Sequence, residues 1–208
     1  MRGFLTLPGT SNHCGLVLTH GAGANCDSPL LQAIAAGFAG SGYTVLRCDL
    51  PFRQKRRGGP PRGSSDEDRA GLRSAMEALL AEMAESNAKV FLAGHSYGGR
   101  QASMLAAEHP GLAAGLLLLS YPLHPPEKPL QLRTAHFPQL HTPAMFVHGT
   151  RDPFAAIPEL ENAIQLIPAR TRLLPVEGAG HDLLGRRAEA SQLPAAIVRS
   201  FGEFAAGG

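Results

Sequence analysis

The sequence has 208 residues, of which 44% are hydrophobic and 17% charged, and this composition predicts one globular domain spanning residues 1–208 rather than a disordered chain. Its formal net charge of +2 provides no overall attraction to nucleic acid or to a membrane surface. No apolar run approaches the roughly 18 residues of a membrane span, and the N-terminus lacks the apolar core of a signal peptide, so we expect a cytoplasmic protein.

Short apolar runs rich in Val and Leu alternate along the chain with longer, Ala-rich segments. The apolar runs predict strands at 15–21, 43–51, 88–94, 113–122, 143–152 and 171–178, and residues 1–9 leave room for one short edge strand. The segments between them predict helices at 28–42, 64–86, 97–110 and 156–168, with a mostly helical tail over 182–204. Continuous apolar strands separated by helices are typical of a parallel sheet covered on both faces. We therefore expect an α/β fold, a three-layer αβα sandwich whose mostly parallel sheet has about six or seven strands.

Residues 51–68 depart from this pattern because they are polar, first basic and then acidic, with paired Gly and paired Pro, which predicts a surface loop. Its basic residues are Arg53, Lys55, Arg56, Arg57 and Arg62. They form either a solvated loop balanced by the acidic residues 66–68 or a surface that binds an anionic substrate or partner. Arg53 lies closest to a strand end and is a candidate substrate contact. A second, proline-rich connection covers residues 124–142.

In open parallel sheets, chemistry collects at the carboxyl ends of the strands. Three predicted strands end in "GHSYG", "HGTRD" and "GAGHD", which carry Ser96, Asp152 and His181. A serine hydroxyl is a weak nucleophile until a histidine accepts its proton, and a carboxylate then orients the imidazole and stabilises its charged form. We therefore expect Ser96, Asp152 and His181 to be the catalytic residues.

Glycines flank the predicted nucleophile on both sides. A sharp strand-to-helix turn at Ser96 needs small residues two positions before and after it, and Gly94 and Gly98 stand there. The backbone N–H of Tyr97 is the first expected donor to an oxyanion. The second is expected from the glycine-rich "HGAGAN" after the first strand, with Ala22 preferred and Gly23 next.

The segments "LTHGAGAN", "DLPFRQ", "GHSYGG", "HGTRDPF" and "GAGHDL" resemble those of the α/β-hydrolase superfamily over nearly the whole chain. More narrowly, "THGAGAN" followed by "RCDLPFRQKRRGGPP" resembles a small subfamily that includes the testis-expressed-protein type and dienelactone-hydrolase-like bacterial proteins. The resemblance implies the same Ser96, Asp152 and His181 triad, with no metal and no organic cofactor.

The chain departs from this family pattern in three respects. About 20 residues separate the strands near Tyr121 and Pro143, enough for a loop but not for a cap domain, so we expect a trimmed, capless fold and an open site. The N-terminus has room for at most one of the family's additional antiparallel strands. Dienelactone hydrolases use a cysteine nucleophile, whereas this chain has Ser96.

Other acidic residues compete with Asp152. Asp49 follows an earlier strand, Glu177 precedes the predicted histidine loop, and Asp182 is adjacent to His181. Asp49 is topologically distant from His181, and Asp182 is better placed to cap the last helix. Glu177 remains as a weaker alternative.

Several further residues have alternative roles. His20 either contacts substrate or shapes the oxyanion loop through backbone hydrogen bonds, and His95 is expected to point away from the nucleophile. Arg100 is expected to be structural. Candidate pocket residues are Gly23, Arg53, Tyr121, His124 and Phe154.

The cysteines are three in number, Cys14, Cys26 and Cys48, and show no metal-type spacing, which predicts free thiols in a reducing compartment. Cys26 is expected to be an unreactive small residue.

The preferred function is hydrolysis of a carboxylic ester or thioester of a small molecule through an acyl-enzyme. One alternative is a catalytically silent binding or scaffold protein with the same fold. Another is lyase, peptidase, thioesterase or haloperoxidase-type chemistry, which the fold also accommodates. We expect no nucleic-acid partner and a monomer or homodimer.

Overall fold

The computed structural model describes residues 2–56, 58–84, 87–183 and 192–207. Across these residues one sheet contains seven strands: β1 (Gly3–Thr6), β2 (Cys14–Thr19), β3 (Thr44–Cys48), β4 (Lys89–His95), β5 (Leu116–Leu119), β6 (Ala144–Gly149) and β7 (Thr171–Val176). Their spatial order is β1-β3-β2-β4-β5-β6-β7. The edge strand β1 is antiparallel to β3, and every other neighbouring pair is parallel. The predicted mostly parallel sheet is confirmed.

The α-helices in the described ranges are α1 (Pro29–Gly40), α2 (Pro51–Lys55), α3 (Ser65–Met83), α4 (Tyr97–Glu108), α5 (Ile157–Ile164) and α6 (Leu193–Ala206). Helix α3 begins where the Ser64 hydroxyl accepts the backbone N–H of Asp66, and acidic residues in its first turn favour the positive end of the helix dipole. The prediction of a continuous loop over 51–68 is wrong, because α2 occupies its start. Pro51 at the first helical position suits a helix start, since its missing N–H needs no partner there. Residues 184–191 of the predicted helical tail lie outside the described residues.

The sheet is covered on both faces, as a three-layer sandwich requires. Along β4, Val90 and Leu92 pack with α3 and α4 on one face, whereas Phe91 and Ala93 pack with α1 and α6 on the other. Burying one large apolar side chain contributes about 1.5–3 kcal/mol. The strands therefore read as continuous apolar runs because both of their faces are buried.

The connection between β5 and β6 carries no cap domain. Over residues 120–143 its only helical element is a single 3₁₀ turn, Phe137–Gln139. The carboxyl ends of β2, β4, β6 and β7 meet at one edge of the sheet because these strands are parallel. The loops that follow them form the candidate site, and this connection leaves them without a covering domain.

Candidate active site

Ser96 occupies the sharp turn between β4 and α4. Its backbone has φ 50° and ψ −116°, a conformation that costs a non-glycine residue on the order of 1–3 kcal/mol. A side chain at Gly94 would place Cβ 2.4 Å from the carbonyl carbon of Gly98, and one at Gly98 would lie 2.5 Å from the His20 carbonyl oxygen. The steric reason predicted for these two glycines is confirmed.

Ser96, His181 and Asp152 form a continuous hydrogen-bonded chain. His181 Nε2 lies 2.8 Å from Ser96 Oγ, and His181 Nδ1 lies 2.8 Å from Asp152 Oδ2. Because an ionised carboxylate only accepts hydrogen bonds, Nδ1 carries the proton and Nε2 is left to accept from the Ser96 hydroxyl. The structure thus brings together the three side chains that the sequence singled out.

Asp152 is buried yet stays ionised. Burial opposes its charged form, but hydrogen bonds from the His181 ring and from the N–H of Phe154, 2.9 Å away, outweigh that effect and lower the pKa of the carboxyl. His148 lies beside it, with Nε2 3.0 Å from the Ala155 carbonyl and 3.7 Å from Asp152 Oδ2. The carboxylate is therefore charged at neutral pH and able to stabilise a protonated His181.

The rival acids have other partners. Asp49 accepts the Cys26 N–H at 2.7 Å and pairs with Arg2, and Glu177 accepts the Thr150 hydroxyl at 3.3 Å. Helix α6 begins at Leu193, and the segment between it and Asp182 lies outside the described residues, so the predicted capping role stays a prediction.

The loop after β2 packs directly against the serine. A Cβ at Gly21 would lie 3.3 Å from Ser96 Cβ, and the N–H of Ala24 donates to the Gly21 carbonyl to close a tight turn. Within the described ranges, the N–H groups of Ala22 and Gly23 have no protein acceptor. They are free to bind a negatively charged oxygen.

The side chain of His20 fixes the conformation of this loop through hydrogen bonds to the backbone. It is fully buried, its Nδ1 lies 2.8 Å from the Gly21 carbonyl, and its Nε2 lies 3.1 Å from the N–H of Leu50. Since Leu50 N–H can only donate, Nε2 is the acceptor and the proton sits on Nδ1. Burial lowers the pKa of His20 and keeps the ring neutral. The interpretation that His20 orders the loop rather than contacting substrate is confirmed.

Two of the candidate substrate contacts are corrected. Tyr121 is fully buried, its ring packs against Phe137 and Phe146, and its hydroxyl donates to the Arg133 carbonyl. Tyr121 therefore does not line the site. The prediction was wrong because a strand end fixes the position of a residue but not the direction of its side chain. Arg53 is only 4% exposed, and its guanidinium is occupied by backbone carbonyls.

The other candidate contacts have different surroundings. Phe154 is half-buried with its ring centroid 4.2 Å from that of His181, and Gly23 is exposed on the loop after β2. His124 is buried, with Nε2 3.4 Å from a Glu159 carboxylate oxygen. Phe154 thus lies beside His181, Gly23 lies on the loop whose Gly21 packs against Ser96, and His124 is held by a structural contact.

Sequence reasoning missed two supporting side chains. His95 does not point away from the site, because its Nε2 lies 2.8 Å from the His181 carbonyl and its ring packs 5.3 Å from the His181 ring. Asp68 is buried, with one carboxylate oxygen accepting the Phe52 N–H and the other the Tyr97 hydroxyl. Asp68 belongs to an acidic run that reads as solvated, and no local pattern separates it from its neighbours.

Cysteine chemistry is suppressed next to the site. Burial, followed by a hydrogen bond with Asp49, raises the pKa of the Cys26 thiol to about 12, and burial likewise raises that of Cys48 to about 12. A buried thiol that stays protonated is a poor nucleophile, which agrees with the prediction for Cys26.

No group of three or more His, Cys, Asp or Glu side chains in the described part of the chain could hold a metal ion. Among the same residues, no helix combines the length and apolarity needed to cross a membrane.

Comparison with known proteins supports the same architecture. A family model described as an alpha/beta hydrolase domain matches residues 12–206. The structure is similar to a dienelactone hydrolase from Anabaena variabilis, with a TM-score of 0.76 and 22% identity over 97% of this chain and 90% of the other. It is also similar to an alpha-beta serine hydrolase homologue from Coxiella burnetii, with a TM-score of 0.75 and 16% identity over 95% and 90% of the two chains. A third similar structure, an a/b serine hydrolase without lid from Xanthomonas campestris, has a TM-score of 0.75 and 16% identity over 97% of this chain and 88% of the other.

Proposed function

The chain belongs to the alpha/beta hydrolase family, and from that premise we propose that it is a serine hydrolase that cleaves an ester-type bond, a carboxylic ester or thioester, of a small substrate. The observation that carries the proposal is the hydrogen-bonded chain from Ser96 through His181 to Asp152, with 2.8 Å at both links. The serine at its end has the strained backbone of a nucleophile turn.

In the first half of the reaction, His181 Nε2 accepts the Ser96 proton as Oγ attacks the substrate carbonyl carbon. The carbonyl π electrons move onto oxygen, and the N–H groups of Ala22 and Tyr97 bind the resulting oxyanion. Asp152 stabilises the imidazolium through Nδ1–H. His181 then gives its proton to the leaving alcohol or thiol as the C–O or C–S bond breaks, and an acyl-serine remains.

In the second half, a water molecule takes the place of the leaving group. His181 Nε2 accepts a proton from this water as its oxygen attacks the acyl carbon. The same two N–H groups bind the second oxyanion. Collapse of this intermediate returns the proton to Ser96 Oγ and releases the carboxylic acid.

The surroundings of Ser96 favour small or protruding acyl groups. Residues 120–143 contribute a 3₁₀ turn and no cap, so this connection supplies no deep tunnel for a long chain. The half-buried Phe154 ring beside His181 offers one apolar wall.

Activity-based labelling tests this function. A fluorophosphonate probe should label Ser96 in the wild-type protein and fail to label Ser96→Ala, because only an activated serine attacks the phosphorus. Ser103→Ala is a matched control, since Ser103 lies on α4, the helix that directly follows Ser96, but is fully buried and hydrogen-bonded to His136. It should leave labelling unchanged. A panel of esters and thioesters of increasing acyl length should then show the highest kcat/KM for short chains.

Folded wild-type protein that takes up no probe and hydrolyses none of the panel would refute the proposal. That result would favour the alternative of a binding protein that keeps the hydrolase fold without turnover.

A further inference from the structure

Resting on the proposed function, we propose that Arg53 is a positioning residue that, together with His20, aims the N–H of Ala22 at the oxyanion. Arg53 would thus act through the backbone of the oxyanion loop and would not contact substrate.

The Arg53 guanidinium is a buried bridge between two loops. Its Nη2 donates to the carbonyl of Ala22 at 2.5 Å and to that of Gly59 at 3.1 Å, and Nη1 lies 3.4 Å from the Arg56 carbonyl. Its Cζ lies 4.9 Å from the centre of the Phe52 ring. A side chain that is 4% exposed and bound at three carbonyls is held in one orientation.

These contacts fix the peptide planes around the predicted donor. A trans peptide directs its C=O and its N–H to opposite sides. His20 Nδ1–H holds the Gly21 carbonyl, which turns the N–H of Ala22 away from the protein interior. Arg53 holds the next carbonyl, that of Ala22 itself. Both peptides that meet at Ala22 are thereby anchored by buried side chains.

Asp68, which binds the helix that carries Arg53, also binds Tyr97, the other predicted oxyanion donor. The Asp68 carboxylate accepts two hydrogen bonds. One comes from the N–H of Phe52, which lies on the same helix as Arg53, and the other from the hydroxyl of Tyr97, the residue after the proposed nucleophile. A Cβ at Gly71 would lie 2.5 Å from the Pro51 ring, so α2 packs closely on α3. The two oxyanion donors, at Ala22 and Tyr97, are therefore attached to a common frame.

Arg53 also brings a positive charge to this loop. Among the described residues no carboxylate forms an ion pair with it, and its hydrogen bonds all go to backbone carbonyls. A positive charge fixed behind the oxyanion loop favours the negative charge that develops on the substrate oxygen. Burial chiefly, and the charge of Arg53 to a smaller extent, lowers the pKa of His20, which keeps Nε2 free to accept the Leu50 N–H.

The test compares Arg53→Gln and Arg53→Lys with the wild type in p-nitrophenyl acetate hydrolysis and in the rate of fluorophosphonate labelling of Ser96. Removing an oxyanion donor lowers kcat by about 100–1,000-fold. Loss of its support through Arg53→Gln should lower kcat by at least about 10-fold, leave KM within about 2-fold, and slow labelling in parallel. The kcat of Arg53→Lys should lie between those of the wild type and Arg53→Gln, because lysine keeps the positive charge but donates from a single nitrogen and cannot reproduce the guanidinium fork.

Arg170→Gln is the matched control. Arg170 also donates to a backbone carbonyl at 2.5 Å, that of Phe204, and stacks on an aromatic ring, but it lies at the amino ends of the strands, away from Ser96. It should keep the wild-type kcat. Circular dichroism identifies variants that fail to fold. If Arg53→Gln does not fold, Arg53→Lys replaces it in the test, and a several-fold lower kcat at unchanged KM in that variant would support the inference.

Two results would overturn the inference while leaving the proposed function intact. One is a kcat for Arg53→Gln equal to that of Arg170→Gln, and the other is a raised KM at unchanged kcat, which would make Arg53 a substrate contact. Wild-type protein that is not labelled at all would instead remove the proposed function on which the inference rests.

Discussion

At the residue scale, the site depends on which nitrogen of each histidine carries the proton. His181 and His20 use the same arrangement, with Nδ1–H donating and Nε2 accepting. For His181 the acceptor at Nδ1 is a carboxylate, and for His20 it is a backbone carbonyl. A carboxylate also stabilises the protonated ring, so His181, and not His20, is suited to the proposed role of catalytic base.

Asp152→Asn tests this arrangement. The asparagine amide can donate to Nδ1, which would place the ring proton on Nε2, where it cannot accept from Ser96. We expect kcat for p-nitrophenyl acetate to fall by about 10⁴-fold, while thermal unfolding followed by circular dichroism stays cooperative.

Glu177→Gln is the control for that change, since Glu177 is the other acid that precedes the histidine loop. It accepts a hydrogen bond only from Thr150 among the described residues, and its replacement should leave kcat within about 2-fold of wild type. Equal losses in the two variants would contradict the assignment of Asp152.

At the element scale, the loops of the site touch through glycine backbone. A Cβ at Gly149 would lie 2.3 Å from the Ala179 carbonyl oxygen, between the loops that carry Asp152 and His181. A Cβ at Gly98 would meet the His20 carbonyl at 2.5 Å, between α4 and the oxyanion loop. These contacts set the distances between side chains that come from different strands.

The same substitution at two helical glycines should therefore have opposite effects. Gly98→Ala forces the His20 backbone aside and should destabilise the protein by about 1–3 kcal/mol, with a lower kcat because the oxyanion loop moves. Gly202→Ala in α6 places its methyl group in open space and should stabilise the helix by roughly 0.5–1 kcal/mol. Urea unfolding of both variants measures the difference, and destabilisation of similar size in the two would contradict the steric account.

The sequence was sufficient to predict which strand-end loops meet, because parallel strands bring their carboxyl ends to one edge. Ser96, Asp152 and His181 follow from that rule together with turn chemistry. Helix α2 and the inward direction of the Tyr121 side chain could not be predicted in this way, because both depend on tertiary contacts. The N–H of Phe52 in α2 is bound by Asp68, and the Tyr121 ring packs against Phe137. Arg53 was predicted to contact substrate because it lies close to a strand end, and the sequence could not reveal that its guanidinium points into the protein.

At the scale of the whole molecule, burial sets how the fold responds to acid. Four histidines have a lowered pKa, chiefly because burial penalises their charged form: His20, His95, His136 and His148. The unfolded chain binds protons at these side chains near pH 6.5, whereas the folded chain resists them. Between pH 6.5 and the lower pKa values of the folded chain, the unfolded state holds more protons at these four histidines. Their contribution to the free energy of unfolding therefore decreases as the pH falls below about 6.5.

His136 allows this to be tested at one position, away from Ser96 and the oxyanion loop. Burial, then the nearby charges of Arg100 and Arg69, lowers its pKa to about 4, and its Nε2 lies 2.8 Å from Ser103 Oγ. Because the Ser103 hydroxyl donates to the Arg100 carbonyl, Nε2–H is the donor in this contact, and the amide of a glutamine can replace it. Urea unfolding of the wild type and of His136→Gln between pH 7 and pH 5 should give a smaller loss of stability in the variant. One proton corresponds to at most about 1.4 kcal/mol per pH unit. Parallel curves for the two proteins would mean that His136 takes up its proton equally in the folded and unfolded states, against the effect of its buried, positively charged surroundings.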